Sequence, residues 1–191
     1  MIVIISKIER FADTPPSLLD EGHFEQYGKA KSVKRRAEIT AGAGILRYAL
    51  KEYGFTFGDE PLPVKFTGEG KPYFQDGPCF SLSHSGDLIV CAVDADEVGV
   101  DIERVSKFAK TRIARKILNP FEENAFAGIS DTDEAAKYLA VKWTGKEAIA
   151  KLIGKGLGVA FSKLHEEDCF MHTFSFVSDG VSYIVRTASE K

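Results

Sequence analysis

The chain has 191 residues, 44% hydrophobic and 28% charged, a globular composition that is long for one ordinary domain and short for two. Its formal net charge of −3 argues against general nucleic-acid binding, and no apolar run approaches the ~20 residues that span a bilayer. The three cysteines are widely spaced and form no CxxC pattern, so we expect neither a disulfide framework nor structural zinc. We therefore expect a cytoplasmic protein that binds neither nucleic acid nor a membrane.

The first half of the chain predicts a strand, a helical region and then a series of strands. Residues 2–8 are typical of a buried strand, and residues 17–53 have a helical pattern that breaks near Gly28 and ends at Gly54. Alternating apolar and polar residues then predict three strands of an antiparallel meander, at 80–85, 88–93 and 98–103.

The second half predicts helices followed by a hairpin. Residues 108–126 are helical with a break at Asn119, and residues 133–152 give the strongest helical pattern of the chain. A final hairpin is predicted at 169–177 and 181–187. Because meanders and helices are segregated, the order favours an α+β fold over a doubly wound parallel sheet.

The strand at 98–103 carries the first candidate site. Residues two apart in a strand share a face, so Asp101 and Glu103 project together, opposite Val98, Val100 and Ile102. Two adjacent carboxylates repel each other unless a cation lies between them, and Mg²⁺ suits such a pair. The alternative is a solvated acidic face. Gly99 favours a close approach by a ligand or a backbone.

The helix at 133–152 carries the second candidate site. Leu139, Trp143, Glu147 and Lys151 are spaced by four and lie along one face. Glu147 is a candidate third metal ligand or general base, and Lys151 a candidate phosphate contact. The alternative is an exposed Glu–Lys pair. Nothing in the sequence explains Gly145 in the middle of this helix, where glycine costs about 1 kcal/mol relative to alanine.

Polar and basic residues supply phosphate-facing candidates. Ser83 and His84 end a strand, and Lys71 lies in a Gly-Lys-Pro turn. Basic residues also cluster at 29–36, with Arg47 following, and at 104–116. Each has an ordinary alternative, a surface turn or a solvated face. A basic stretch beside a metal site is also where an acidic partner would dock.

Together these motifs resemble the 4′-phosphopantetheinyl transferases of the surfactin-synthetase (Sfp) type, over roughly residues 28 to 157. The residues that carry the resemblance occur in the family's order. They are Gly70-Lys71-Pro72, Ser83-His84-Ser85, Gly99-Val100-Asp101-Ile102-Glu103, Trp143-Thr144-Gly145-Lys146-Glu147-Ala148 with Lys151, and Gly154-Lys155-Gly156-Leu157.

The resemblance implies the 4′-phosphopantetheinyl transferase fold, with two pseudo-twofold-related α+β subdomains in one chain. It places the half-domains at residues 1–97 and 98–191, with the active site at their junction. It also implies a transferase that moves 4′-phosphopantetheine from coenzyme A to a serine of an apo acyl- or peptidyl-carrier protein and releases 3′,5′-ADP. Mg²⁺ is the expected cofactor, with Mn²⁺ as an alternative, and a monomer is the expected state.

The resemblance also assigns roles to individual residues. Asp101, Glu103 and Glu147 would hold the metal, and Glu147 and Lys151 would be catalytic. The residues expected to bind coenzyme A are Lys71, Ser83, His84, Arg47 and Arg36. The residues expected to dock the carrier protein are Lys107, Arg112, Arg115 and Lys116.

Three other interpretations are weaker. A different Mg²⁺-dependent nucleotide enzyme, such as a kinase or pyrophosphatase, lacks support because the chain has no Walker-A or kinase motif set. A non-catalytic module that binds coenzyme A or a carrier protein would not need all the carboxylates and Lys151 together. A short trimeric holo-synthase would have about half this length.

Overall fold

The computed structural model describes residues 1–109, 113–155 and 158–191, which fall into two compact units, Met1–Glu97 and Val98–Lys191. Both contain helices and antiparallel sheets, which confirms the α+β class. Within the described residues, no helix is both long enough and apolar enough to cross a membrane.

The first unit is built from a three-stranded sheet and a 21-residue helix. Its helices are α1 (Glu21–Lys29) and α2 (Val33–Tyr53), and its strands are β1 (Ile2–Lys7), β2 (Val64–Phe66), β3 (Pro72–Phe74), β4 (Cys79–Ser85) and β5 (Leu88–Asp94). Short 3-10 helices cover Ile8–Arg10 and Pro16–Leu18. The main sheet has the order β1-β5-β4, all antiparallel, while β2 and β3 form a separate hairpin.

The helix α2 supplies one wall of the first unit's core. Ser32 caps its N-terminus by accepting a hydrogen bond from the Arg35 amide, and Gly54 ends it in the left-handed conformation with φ of 101°. Ile45 and Leu50 from this helix are fully buried with Val93 of β5. The predicted helical break near Gly28 corresponds to the gap between α1 and α2.

The second unit begins with a strand and again carries one long helix. Its strands are β6 (Val98–Arg104), β7 (Phe170–Ser178) and β8 (Val181–Ser189), and its helices are α3 (Ala114–Ile117), α4 (Pro120–Ala127) and α5 (Thr132–Leu152). Short 3-10 helices cover Val105–Phe108, Phe161–Lys163 and Glu166–Asp168. The sheet order is β6-β8-β7, all antiparallel.

One expectation about topology is wrong. The strands β4 and β5 pair as predicted, but β6 pairs with β8 and not with β5, so the three do not form a meander. The next neighbour of β5 is β1. Local alternation identified the strands, but it holds no information about the long-range partner of β6.

The two units share a topology that the sequence did not reveal as a repeat. Each contains, in this order, a first strand, a 21-residue helix and a terminal hairpin, and in each the first strand pairs with the last strand of that hairpin. The pseudo-twofold relation of the two subdomains stays a prediction.

In the second unit, helix α5 lies directly on strand β6 at Gly99. A Cβ placed on Gly99 would lie 1.9 Å from the Ala148 carbonyl oxygen and 2.7 Å from the Leu152 amide nitrogen. Both are backbone atoms that no side-chain rotation can move away, so only glycine permits this approach. Gly99 therefore admits a backbone and sets how closely the helix approaches the strand.

Candidate functional site

The strand β6 presents its two carboxylates to helix α5, as the alternation predicts. Asp101 pairs in register with Arg186, and Glu103 with Ile184, so these four side chains share the face on which α5 packs. Asp101 and Glu103 are only 5% and 8% exposed. The alternative of a solvated acidic face is therefore wrong.

Lysines compensate both buried carboxylates. Lys151 Nζ donates to Asp101 Oδ1 at 2.8 Å and to the Val100 carbonyl oxygen at 3.0 Å. Lys107 donates to Glu103, and its Nζ also lies 5.5 Å from the ring centre of Trp143. The two ion pairs connect α5 and the Val105–Phe108 turn to the same strand.

Glu147 faces this cluster from α5. Burial is the main cause that raises its pKa from 4.5 to about 7, and the charge of Asp101 raises it further. Glu103 adds a smaller effect in the same direction, while Lys151 and Lys107 partly oppose the shift. The carboxyls of Asp101, Glu103 and Glu147 therefore repel one another, which is the electrostatic condition that a divalent cation relieves.

The donor set fits a hard divalent cation. Carboxylate oxygens with room for water and phosphate are the ligands that Mg²⁺ prefers. Among the residues in the described ranges, however, no group of three or more His, Cys, Asp or Glu side chains is arranged to hold a metal ion. Lys151 and Lys107 instead contact Asp101 and Glu103.

Aromatic packing fixes Trp143, which lies on the same face of α5 as Glu147 and Lys151. Trp143 lies 5.1 Å from Phe161 and 6.3 Å from Phe108, measured between ring centres. The face predicted for Leu139, Trp143, Glu147 and Lys151 thus runs from the core into the carboxylate cluster.

Of the residues predicted to bind coenzyme A, Lys71 and His84 lie close to carboxylates of the first unit. Lys71 pairs with Glu97, and His84 Nε2 lies 3.9 Å from the Glu38 carboxylate. Ser83 precedes His84 on β4 and is less exposed than it. Their roles stay predictions.

The two arginines in that set hold backbone carbonyls. Arg47 donates to the carbonyl oxygens of Gly58 and Glu60 and so ties down the segment before β2. Arg36 donates to the Ala30 carbonyl oxygen and stacks over the ring of Tyr27, between α1 and α2.

The predicted docking residues divide into three cases. Arg115 and Lys116 are exposed on α3. Lys107 belongs to the carboxylate cluster through Glu103. Arg112 lies outside the described residues, as do Gly156 and Leu157 of the family-like segment after α5.

A buried charged network beside Glu147 was not predicted. Lys146 is fully buried, and its Nζ donates to Glu122 Oε2 at 2.5 Å and to the Ile117 carbonyl oxygen. Glu122 also closes the capping box of α4 with Asn119. The Asn-Pro-x-Glu spacing was a readable signal for the cap, but not for the contact with Lys146.

The structure also explains Gly145. A Cβ at this position would lie 2.3 Å from Arg186 Nη1, so the guanidinium of β8 lies against the bare helix backbone there. Arg186 pairs with Glu166 at 2.8 Å. The mid-helix glycine was the sequence signal of a close approach.

Comparison with known proteins confirms the predicted resemblance to Sfp-type transferases. Residues 97–178 match the sequence profile of the 4′-phosphopantetheinyl transferase superfamily. The 4′-phosphopantetheinyl transferase Sfp of Bacillus subtilis is 36% identical over 104 residues, covering 51% of this chain and 46% of that protein. The 4′-phosphopantetheinyl transferase psf-1 of Bacillus pumilus is 31% identical over 153 residues, covering 70% of this chain and 64% of that protein.

A solved structure also matches. The holo-(acyl-carrier-protein) synthase of Bacillus anthracis, in complex with CoA (3′,5′-ADP), is 18% identical with a TM-score of 0.38 and covers 50% of this chain and 96% of that one. The chain spans about half the length of the curated relatives it matches.

The raised pKa of Glu147 predicts a pH-dependent stability difference in metal-free buffer. With a pKa of about 7 in the folded protein and 4.5 as the ordinary value, the carboxyl stabilises the fold when protonated, and that contribution is lost as the pH rises from about 4.5 to about 7. Glu147→Gln, which resembles the protonated form, should be more stable than wild type by about 1–2 kcal/mol at pH 8, with screening by water included.

Urea unfolding at a series of pH values with EDTA measures the effect. The difference between variant and wild type should shrink towards pH 4. Glu69→Gln, at an exposed turn position, is the matched control and should show no such trend. A Glu147→Gln difference that does not vary with pH would contradict the assignment.

Proposed function

We propose that this protein transfers 4′-phosphopantetheine from coenzyme A to a serine of an apo acyl- or peptidyl-carrier protein. The observation that supports this most is the meeting of Asp101, Glu103, Glu147 and Lys151 within one buried cluster. The similarity to transferases of this reaction supports it independently.

The transfer has three chemical requirements that the protein must meet. The serine hydroxyl must lose its proton as its oxygen bonds to the β-phosphorus of coenzyme A. The bond from that phosphorus to the 3′,5′-ADP oxygen must break, and negative charge on the phosphates must be neutralised throughout. We assign the first to Glu147, the second to Lys151, and the third to Lys151 together with a cation that the carboxylates would hold.

Glu147 is the proposed proton acceptor, directly or through a water molecule. A proton acceptor must lie close to the hydroxyl that it deprotonates, and Glu147 faces the same cluster as Lys151, the proposed pyrophosphate contact. Lys151 is the proposed contact for the pyrophosphate and the departing oxygen. To reach it, the ammonium must leave the Asp101 carboxylate that it contacts here.

Asp101, Glu103 and Glu147 are the proposed ligands of Mg²⁺, with Mn²⁺ as an alternative. When bound, the ion supplies charge neutralisation and a template for the pyrophosphate. The proposed ligands of coenzyme A itself are the first-unit residues Lys71, Ser83, His84, Arg47 and Arg36. The junction of the two units remains the proposed place of the reaction.

The proposed carrier-docking surface is basic. Carrier proteins of this reaction are generally acidic, and Arg115 and Lys116 are exposed on α3. We also propose that the protein acts as a monomer in the cytoplasm, where its three free cysteines would stay reduced.

The transfer itself is testable by mass spectrometry. An apo carrier protein incubated with this protein, coenzyme A and Mg²⁺ should gain the mass of phosphopantetheine, and EDTA should prevent the gain. Glu147→Gln should slow it by about 100-fold or more, because the proton acceptor is lost, while the protein stays folded. Glu69→Gln should behave as wild type. Absence of a mass gain with several carriers would overturn the proposal, and an active Glu147→Gln would refute its role.

Charge reversal at α3 tests the docking surface. The double change Arg115→Glu and Lys116→Glu should raise the KM for the carrier about tenfold or more at low salt, with less effect at high salt, and leave the affinity for coenzyme A unchanged. Lys107 is left intact because it pairs with Glu103. The matched control reverses two other exposed lysines of the second unit, Lys163 and Lys191. Equal carrier KM values in both doubles would refute this surface.

A further inference from the structure

Five charged side chains form a connected network along helix α5, outside the carboxylate cluster. The order along the chain of contacts is Lys146, Glu122, Lys142, Glu166 and Arg186. The members come from four elements: α5, α4, the Glu166–Asp168 turn and β8. Three positive and two negative charges therefore link four elements of the second unit.

The network is buried at both ends. Lys146 is 0% exposed and Arg186 is 5% exposed. Burial is the largest influence on the pKa of Glu122 and raises it, but Lys146 and the Asn119 amide outweigh burial, and the net shift is downward. Glu122 therefore accepts the hydrogen bond of the buried Lys146 as a carboxylate.

Stability is a weak reason for such an arrangement. Removing charges from water is costly, and well-packed apolar residues of similar volume often serve as well or better. What an ion pair supplies in addition is a fixed direction, because its hydrogen bonds accept only one placement of the two groups. The network is thus suited to define a position.

The position that it defines is the rotation of α5 about its own axis. Successive residues of a helix point 100° apart, so Gly145, Lys146 and Glu147 face three different directions. Gly145 faces the Arg186 guanidinium, and Lys146 faces Glu122 of α4. With these two directions held, the third direction carries Glu147 towards β6.

Arg186 holds its own place through several contacts. Its Nε donates to Thr173 Oγ1 at 3.0 Å, and Nη1 donates to the Val141 carbonyl oxygen at 3.3 Å and pairs with Glu166. It is therefore fixed to the sheet on one side and to α5 on the other. It also pairs in register with Asp101, so the strand pair β6–β8 carries both Arg186, which contacts α5, and a proposed metal ligand.

We propose that Lys146, Glu122 and Arg186 are positioning residues that set the rotation of α5 and thereby place the Glu147 carboxylate and the Lys151 ammonium against Asp101. The catalytic consequence rests on the proposed function, but the geometric one does not. Side-chain ends lie about 5–6 Å from a helix axis, so a rotation of 10° displaces them by about 1 Å. A displacement of that size in a reacting group can cost about 100-fold in rate.

The principal test removes the buried pair without leaving a lone charge. Glu122→Gln keeps an acceptor for the Asn119 amide, and Lys146→Met keeps the length of the side chain. The double variant should fold and lower kcat by about 10- to 100-fold, with the KM for coenzyme A unchanged. The matched control is Glu134→Gln with Lys137→Met, the same changes at exposed positions of α5, and it should retain wild-type kcat.

A crystal structure of the double variant gives a readout that needs no activity. The Lys151 Nζ to Asp101 Oδ1 distance should exceed that in a crystal structure of the wild type solved alongside, with α5 rotated about its axis. Arg186→Lys keeps the charge but cannot form the three bonds at once, so it should shift α5 and kcat in the same way should the double variant not fold.

The outcomes separate the two claims. An unmoved α5 would overturn the positioning role, whatever the activity. A kcat that falls only in proportion to the folded fraction would overturn it as well. A wild-type protein that transfers nothing, with α5 displaced in the variant, would count against the proposed function alone.

Discussion

The contact between Gly99 and the backbone of α5 is the constraint on which the second unit depends. Since the Ala148 carbonyl lies where any side chain at Gly99 would be, helix and strand approach as closely as backbones allow. That approach brings Lys151 within 2.8 Å of Asp101 and sets Glu147 against two carboxylates. The strand thus supplies the carboxylates of Asp101 and Glu103, and the helix supplies Lys151 and Glu147, which lie against them.

The second unit has two separate groups of charged side chains, the carboxylate cluster and the network from Lys146 to Arg186. In the carboxylate cluster, Lys151 bonds one carboxylate, and burial raises the pKa of Glu147 to about 7. In the network from Lys146 to Arg186, each charge has a close partner, and Lys146, Glu122 and Arg186 are buried. A reaction at the first cluster would need the second to stay still.

The sequence predicted the local features of this site and missed its long-range ones. Alternation placed Asp101 and Glu103 on one face of the strand, and a spacing of four residues placed Glu147 and Lys151 on one face of the helix. Both patterns follow from backbone geometry. The pairing of β6 with β8 and the contact of Lys146 with Glu122 join residues far apart in the chain, and no local pattern encodes them. Two similar halves were expected from the family resemblance alone, because the shared strand–helix–hairpin topology leaves no visible repeat in the sequence.

Asp101, Glu103 and Glu147 are the proposed ligands of a single divalent cation. Anomalous scattering from crystals soaked in Mn²⁺ tests it most directly. One strong peak is expected at bonding distance from all three carboxylates, with the Lys151 ammonium displaced from Asp101. A peak elsewhere, or none at a concentration that saturates transfer, with Lys151 still bonded to Asp101, would contradict it.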